Sequence, residues 1–319
     1  MSGSRLKRDE LVEAVFARFW SAAREHDLPG IAGISLELDD LRDEIARQTG
    51  VPRQNNKWIV TQLRSYEKSH SARLFSFHRN ADGAECVRAA DKMVSFVQKK
   101  HLHRPEKIRL ATALADLIAT DFADSPEPVR VFLGAGTTLT LAAEIIRNRA
   151  EELVTPVQII THNAGILQAL ILPETPKHLT VTVPRGTFDP VTNAFLPDDL
   201  SGLNFEDTDL VVQGTSAVCD GILYVESENE ARVKQQILKQ ATGLSVLVLT
   251  LHEFSRSVPP TMHRYGEISD YDLVILPRMN RPSIDQQEAQ QWIADHLTDY
   301  TVKVRHWHYE ILLRTQPGR

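Results

Sequence analysis

The chain of 319 residues carries 36 Lys/Arg against 42 Asp/Glu, a formal net charge of −6, with 42% apolar and 24% charged residues. This is an ordinary globular composition with room for about two domains of ~150 residues each, and no apolar run reaches the ~18 residues that would span a bilayer. The start, MSGSRLKRDELVEAVF, lacks the apolar core of an export signal, and Cys86 and Cys219 fall in no metal-ligand spacing, so a cytoplasmic protein without membrane contact is expected.

Charge is distributed unevenly. Residues 1–104 hold 18 Lys/Arg and 14 Asp/Glu, while the remainder holds 18 and 28. A mildly basic front and an acidic rear suggest two jobs.

In the front, Leu11, Val12, Val15, Phe16, Phe19, Trp20 and Ala23 recur at helical spacing and predict an amphipathic helix over 8–26. Pro29 and Gly30 punctuate the loop that follows. Asp39 or Asp40 is placed to cap a second helix through about Gln48, with Leu41, Ile45 and Ala46 inward. Gly50 suits the tight turn after it. Pro52 is pre-set for the first turn of a third helix. That helix buries Trp58 or Ile59, Leu63 and Tyr66, and shows Arg53, Gln54, Asn56, Lys57 and Arg64 on its other face.

Helix, short glycine turn, helix is the helix-turn-helix pattern. Arg and Lys neutralise phosphates and reach guanine edges, while Gln and Asn pair with adenine. Asp82-Gly83 predicts a hairpin turn that fits the wing of a winged helix. Between 51 and 80 six Lys/Arg accompany one acid, Glu67. The competing interpretation is a helical cap or dimerisation domain with a solvated basic face. The expected organisation is a winged helix-turn-helix DNA-binding domain over 1–90, a linker over 91–106, and an effector-sensing α/β domain over 107–319. His78, His101 and His103 have no helical ligand spacing and are expected at the surface.

From Lys107 onward, apolar β-branched runs at 129–133, 157–161, 179–183, 209–213, 245–250 and 272–276 alternate with amphipathic stretches at 107–120, 138–150, 164–171, 229–242 and 284–296. Continuous apolar strands separated by helices indicate a parallel sheet covered on both faces. Such sheets bind ligands beyond the carboxyl ends of their strands. The loop Gly134-Ala135-Gly136-Thr137-Thr138 combines close backbone approach, a helix N-terminus and hydroxyl donors, which suit a phosphate or carboxylate. It lacks the third glycine of a dinucleotide fingerprint and the lysine of a P-loop, so neither NAD nor ATP is expected as a cofactor. A glycine turn needed only for helix–sheet packing is the alternative. Thr161-His162-Asn163, Arg185-Gly186-Thr187 and Gly214-Thr215-Ser216 follow later strands, and Glu230 and Lys234 stand at i and i+4 on a helix.

These ordered segments resemble the effector domain of DeoR-type transcription regulators over roughly 105–278, and the front winged helix matches that family's layout. The resemblance implies a doubly wound, mostly parallel, Rossmann-like sheet similar to sugar-phosphate isomerases, sensing a phosphorylated sugar or related metabolite. It maps the phosphate loop to Gly134–Thr138, the threonine-asparagine loop to Thr161, His162 and Asn163, the glycine-rich segment to Arg185, Gly186 and Thr187, and the ligand-holding helix lysine to Lys234, with Glu230 before it.

Some positions depart from the family pattern. Its Gly-Ala-Asp-Gly motif reads Gly214-Thr215-Ser216-Ala217, and Ser216 cannot supply the carboxylate that the related isomerases use for proton transfer. Glu253 stands where a phosphate-binding lysine is usual, with Arg256 as a compensating cation; Arg185 stands where glycine is common. After 280, the strand VKVRHWHYEILLR places His306 and His308 on one face, an added edge strand or dimer contact rather than a metal site. The expectation is a ligand-responsive DNA-binding regulator, not an enzyme, with double-stranded DNA and a small phosphorylated effector as partners and a homodimer or homotetramer as assembly. The alternatives are a sugar-phosphate isomerase or hydrolase using Asp220, Glu226 or Glu230, and a signalling module that does not bind DNA.

Overall fold

The computed structural model describes residues 6–26, 31, 33–90, 96–150, 155–171, 178–190, 192–196, 207–255, 257–278 and 284–315. Pro29, Gly30 and Arg256 lie outside the described residues. The chain forms two compact units that divide between Leu102 and His103.

The first unit runs α1 (Arg8–Glu25), β1 (Ser35–Glu37), α2 (Leu38–Thr49), α3 (Asn56–His70), β2 (Phe75–Arg79), β3 (Glu85–Ala89) and α4 (Phe96–His101). Its sheet has the order β1-β3-β2, antiparallel throughout. The apolar stripe of α1 is buried as its spacing predicts, against Leu41, Ile45, Ile59, Leu63 and Tyr66. Gly50 closes α2 with φ 68°, a conformation cheap only for glycine. The hairpin turns at Gly83, φ 84°, whose N–H donates to Asn80 O at 3.0 Å.

Two helix starts differ from the sequence expectation. Glu37 occupies the N-cap of α2, and Asp39 and Asp40 sit in its first turn, where their charge meets the positive end of the helix dipole. α3 begins after Asn55, whose side chain accepts the Trp58 N–H at 2.7 Å. Pro52 therefore precedes the helix, because an Asn cap satisfies an orphan donor that proline cannot. Glu67, the one acid in the basic stretch, accepts Leu74 N–H at 2.6 Å and Phe75 N–H at 2.8 Å and so fixes the entry to β2. His101 is buried rather than at the surface: its ring stacks on Phe16 with centroids 4.4 Å apart, and its carbonyl accepts the Trp20 indole N–H at 3.2 Å.

The second unit contains α5 (Arg104–Asp121), β4 (Val129–Leu133), α6 (Thr137–Asn148), β5 (Val157–Thr161), α7 (Ala164–Ile171), β6 (Leu179–Thr182), β7 (Thr187–Asp189), β8 (Ala194–Leu196), β9 (Leu210–Gln213), β10 (Ala217–Cys219), β11 (Ile222–Val225), α8 (Glu228–Gln240), β12 (Leu244–Val248), β13 (His263–Glu267), β14 (Leu273–Pro277), α9 (Ile284–His296), β15 (Tyr300–Arg305) and β16 (Tyr309–Arg314). An eight-stranded sheet has the order β15-β16-β14-β12-β9-β4-β5-β6. Six strands, β14 through β6, run parallel, and β16 and β15 add antiparallel to that edge. The expected single strand over VKVRHWHYEILLR is thus a hairpin. His306 and His308 lie in its turn with ring centroids 5.6 Å apart, not on one strand face, and Trp307 between them is 80% exposed.

The strand starts are pinned by two aspartates. Asp209, just before β9, accepts Arg130 N–H of β4 at 2.8 Å. Asp272, just before β14, accepts Ser245 N–H at 2.8 Å and its hydroxyl at 2.7 Å. Because chain order grows from β4 outward through β5 and β6 and then restarts at β9 on its other side, the loops after β4 and β9 part at the switch point of the sheet, where such folds open a crevice.

Gly243 enters β12 so tightly that an added Cβ would lie 1.9 Å from Thr208 O and 2.6 Å from Asp209 O. Gly243→Ala is expected to destabilise the chain by about 3 kcal/mol or more, since both obstructing atoms are backbone. Urea unfolding checks this, and an unchanged midpoint contradicts it.

Candidate functional site

At the switch point, Gly134 N–H donates to Val212 O of β9 at 3.0 Å, and a Cβ there would come within 3.3 Å of the same oxygen. Glycine lets the loop lie flat against the neighbouring strand. Gly136, φ 132°, then turns the chain into α6 in a region essentially closed to side-chain-bearing residues. The Thr140 N–H makes the first helical bond, to Gly136 O at 3.2 Å. The amides of Thr137, Thr138 and Leu139 precede that ladder and form the positive end of α6.

Two groups hold this loop. The Asn163 side-chain amide donates to Gly136 O at 3.0 Å and lies 3.4 Å from Gly134 O, while its oxygen accepts Gly165 N–H at 2.9 Å. Thr161 Oγ1 donates to Leu133 O at 2.7 Å and accepts Asn163 N–H at 3.1 Å. Thr161 and Asn163 are therefore struts beneath the loop. From the other side, Lys107 of α5, itself buried, donates from Nζ to Thr137 Oγ1 at 2.9 Å. Sequence reasoning passed over Lys107. The available signal was a lysine on the buried stripe with Leu110, Ala111 and Leu114, at i, i+3, i+4 and i+7.

Lys234 is fully buried on α8 and donates to Gly214 O at 2.9 Å. Glu230 Oε1 lies 3.7 Å from its Nζ, and the Tyr265 ring centroid lies 5.2 Å away. Burial pushes the lysine pKa down, and the Glu230 carboxylate opposes that shift. Tyr265 hydroxyl also donates to Gly214 O, at 3.0 Å, so the loop after β9 is clamped twice. Thr215 Oγ1 donates to Tyr224 O at 2.8 Å, and Ser216 is exposed beside the start of β10.

His162 is 1% exposed, stands edge-on to Phe132, and neither ring nitrogen has a hydrogen-bond partner among the described residues. Burial, with the Lys234 charge adding to it, lowers its pKa to about 3, so the ring is neutral at pH 7. Arg185 and Gly186 lie on an exposed run that enters β7 at Thr187. That run is not among the struts of the glycine loop. It connects through the β7–β8 hairpin, where Phe195 N–H donates to His162 O at 2.7 Å.

The family described as the DeoR C-terminal sensor domain matches residues 102–277. This chain belongs to that family. No curated protein matches it. Among solved structures, it is similar to ribose 5-phosphate isomerase A from Methanocaldococcus jannaschii at 11% identity, covering 66% of this chain and 79% of that one with a TM-score of 0.33. It is also similar to the Pyrococcus horikoshii OT3 translation initiation factor eIF-2B at 10% identity, covering 83% and 85% with a TM-score of 0.34. The Plasmodium falciparum ribose 5-phosphate isomerase gives 11% identity, 65% and 78% coverage and a TM-score of 0.30. Scores this low bear no weight on function.

Within the DeoR sensor unit, Glu253 is not an open carboxylate facing a ligand. It closes a short 3₁₀ turn, accepting Thr250 N–H at 2.8 Å, and burial pushes its pKa up to about 8, with Lys107 opposing and Glu106 adding to the rise. This rise weakens the repulsion expected from a carboxylate at this position. Asp220 sits at the tip of the β10–β11 hairpin with φ 49°, exposed. Among the described residues, no helix is long and apolar enough to cross a membrane.

In the first unit, the five residues singled out for DNA do not share one helix face. Arg53 and Gln54 precede α3; Arg53 pairs with Asp43, and Gln54 Nε2 donates to Pro52 O at 2.8 Å. Asn56 Nδ2 donates to Asp39 Oδ1 at 3.1 Å. Lys57 and Arg64 project from α3 and are exposed, with the Arg64 guanidinium 5.1 Å from the Phe77 ring centroid.

His162 makes acid stability a test of this geometry. Its pKa is about 3 in the folded chain against an ordinary 6.5, so the unfolded chain takes up the proton first as pH falls. Stability rises with pH through that window, is complete above about 6.5, and is lost downward toward 3. Replacement by Gln is expected to remove about 2 kcal/mol of the loss between pH 7 and pH 5. Urea midpoints at both pH values check this; equal pH dependence in wild type and H162Q contradicts it.

Proposed function

We propose that this chain is a ligand-responsive, DNA-binding transcription regulator whose α/β unit senses a small phosphorylated metabolite, a sugar phosphate being the natural class. The observation that carries the sensing half is the buried Lys107 ammonium on Thr137 Oγ1 at the opening turn of α6. A cation, the Thr137 hydroxyl and the leading amides of a helix meet at one turn, which suits a dianionic headgroup. Lys234 and neutral His162 supply further donor and acceptor capacity, with Gly214, Thr215, Ser216 and Glu230 shaping the opposite wall. Arg185, Gly186 and Thr187 are assigned to the exposed rim. Membership of the DeoR sensor family supports this reading.

The DNA half is supported by helix α2, the Gly50 turn, helix α3 and the β2–β3 hairpin in the order of a winged helix. Lys57 and Arg64 are the primary contacts. Arg53, Gln54 and Asn56 contribute only on release from Asp43, Pro52 and Asp39. Two copies, as a homodimer or homotetramer, would read two half-sites.

Selection of fragments from a genomic library, followed by fluorescence anisotropy, tests the proposal. Sequence-selective binding is expected to weaken with salt, and K57A and R64A are each expected to lower the salt slope by about 1. A sugar phosphate is expected to shift DNA affinity in wild type, and K107M that retains DNA binding is expected to lose the response. Absence of salt-sensitive selective binding contradicts the proposal. Phosphosugar turnover would favour the isomerase alternative instead.

A further inference from the structure

A second cluster of chemically active side chains lies at the start of α5, apart from the loop struts. His103, Glu106 and His252 each present one potential metal-ligand atom, and the three atoms lie within 4.8 Å of one another. Glu106 is 2% exposed, a buried carboxylate beside the stacked imidazoles. His252 Nε2 is 2.9 Å from Glu106 Oε1, and Leu251 N–H donates to Glu106 Oε2 at 2.7 Å. The His103 ring stacks on His252 with centroids 3.6 Å apart. His103 adopts φ 50°, unusual for a residue with a side chain, and that conformation sets the imidazole at the head of α5.

We propose that His103, Glu106 and His252 form a binding site for a divalent transition-metal ion, with Zn²⁺ as the best-matched cation. Two nitrogens and one carboxylate oxygen are the donor set of zinc and its neighbours, whereas Mg²⁺ and Ca²⁺ take oxygen ligands. Ligand atoms about 2.0–2.1 Å from a tetrahedral zinc lie about 3.3 Å apart. The Glu106–His252 edge is already near that spacing, and seating the ion requires the His103 ring to turn out of its stack on His252 so that its in-plane lone pair faces the ion. Water would complete the fourth position. The ligands come from two segments far apart in the chain, the head of α5 and the turn after β12, so the ion would cross-link them. Glu106 is also adjacent in sequence to Lys107, which touches the α6 loop, so metal occupancy would act on the sensor site through one peptide bond.

The test is calorimetric titration of untagged, chelator-treated full-length protein with ZnCl₂. One ion per chain is expected in wild type. His252→Ala and His103→Asn are each expected to weaken binding by at least about 100-fold, since even outer-shell partners are worth 10–100-fold. Asn tolerates the positive φ of position 103, so H103N keeps the backbone while removing the imidazole. Circular dichroism confirms that each variant is folded, and H103N alone decides the matter where H252A is not. The double variant His306→Ala/His308→Ala removes the exposed histidine pair of the β15–β16 turn and is expected to bind as wild type. No saturable zinc binding in wild type, or undiminished binding in H103N, overturns the proposal. Loss of binding in H306A/H308A alone would place the ion at the hairpin and overturns it equally.

Discussion

The side-chain amide of Asn163 fixes the direction in which the glycine loop faces. By donating to Gly136 O, with Gly134 O close by, it draws the loop's carbonyls toward β5. The opening amides of α6 are left to point the other way, as helix geometry requires. A positive φ at Gly136 makes this path sterically open, and Thr161 completes the support by bonding Leu133 O and Asn163 N–H. Removal of the Asn163 amide would take away the donor that reaches across to the loop, at about 0.5–1.5 kcal/mol, while Gly136 O would keep the Thr140 N–H. The loop is thus prepared by groups that need not touch a ligand themselves.

Buried charge is the second constraint. Lys107 and Lys234 are both almost fully removed from water, a position that costs several kcal/mol for an uncompensated ammonium. Each is compensated locally: Lys107 by Thr137 Oγ1, Lys234 by Gly214 O, the Glu230 carboxylate and the Tyr265 ring. Glu253 is held by the Thr250 cap, and burial raises its pKa. One lysine at the loop after β4 and one at the loop after β9, the second within electrostatic reach of the neutral His162 ring, favour an anion with a hydroxylated body on the proposed reading.

Much of this arrangement was legible in the sequence because it depends on local pattern. The apolar runs mark the parallel strands, since strands covered on both faces need no alternation. Gly50 and Asp82-Gly83 mark turns whose positive φ excludes most other residues. The glycine-threonine loop could be recognised, but the roles within it could not: Asn163 and Thr161 read as ligand-facing, whereas their bonds go to the loop. Lys107 was missed because a single lysine at a helix start looks solvated until its stripe is traced. The start of α3 is set by Asn55 and not by Pro52, because the Asn side chain accepts the Trp58 N–H. The β15–β16 hairpin was hidden because His306-Trp307-His308 contains none of the usual turn residues. His103, Glu106 and His252 could not be joined from sequence at all, since only the fold brings the β12 turn to the head of α5.

The central claim is that an anion binds at the opening turn of α6, and a crystal structure of the protein soaked with a sugar phosphate tests it most directly. The account predicts phosphoryl density within hydrogen-bonding distance of the amides of Thr137 and Thr138, flanked by Lys107. Density for the phosphoryl group elsewhere, with that turn occluded by the protein's own side chains, would contradict it.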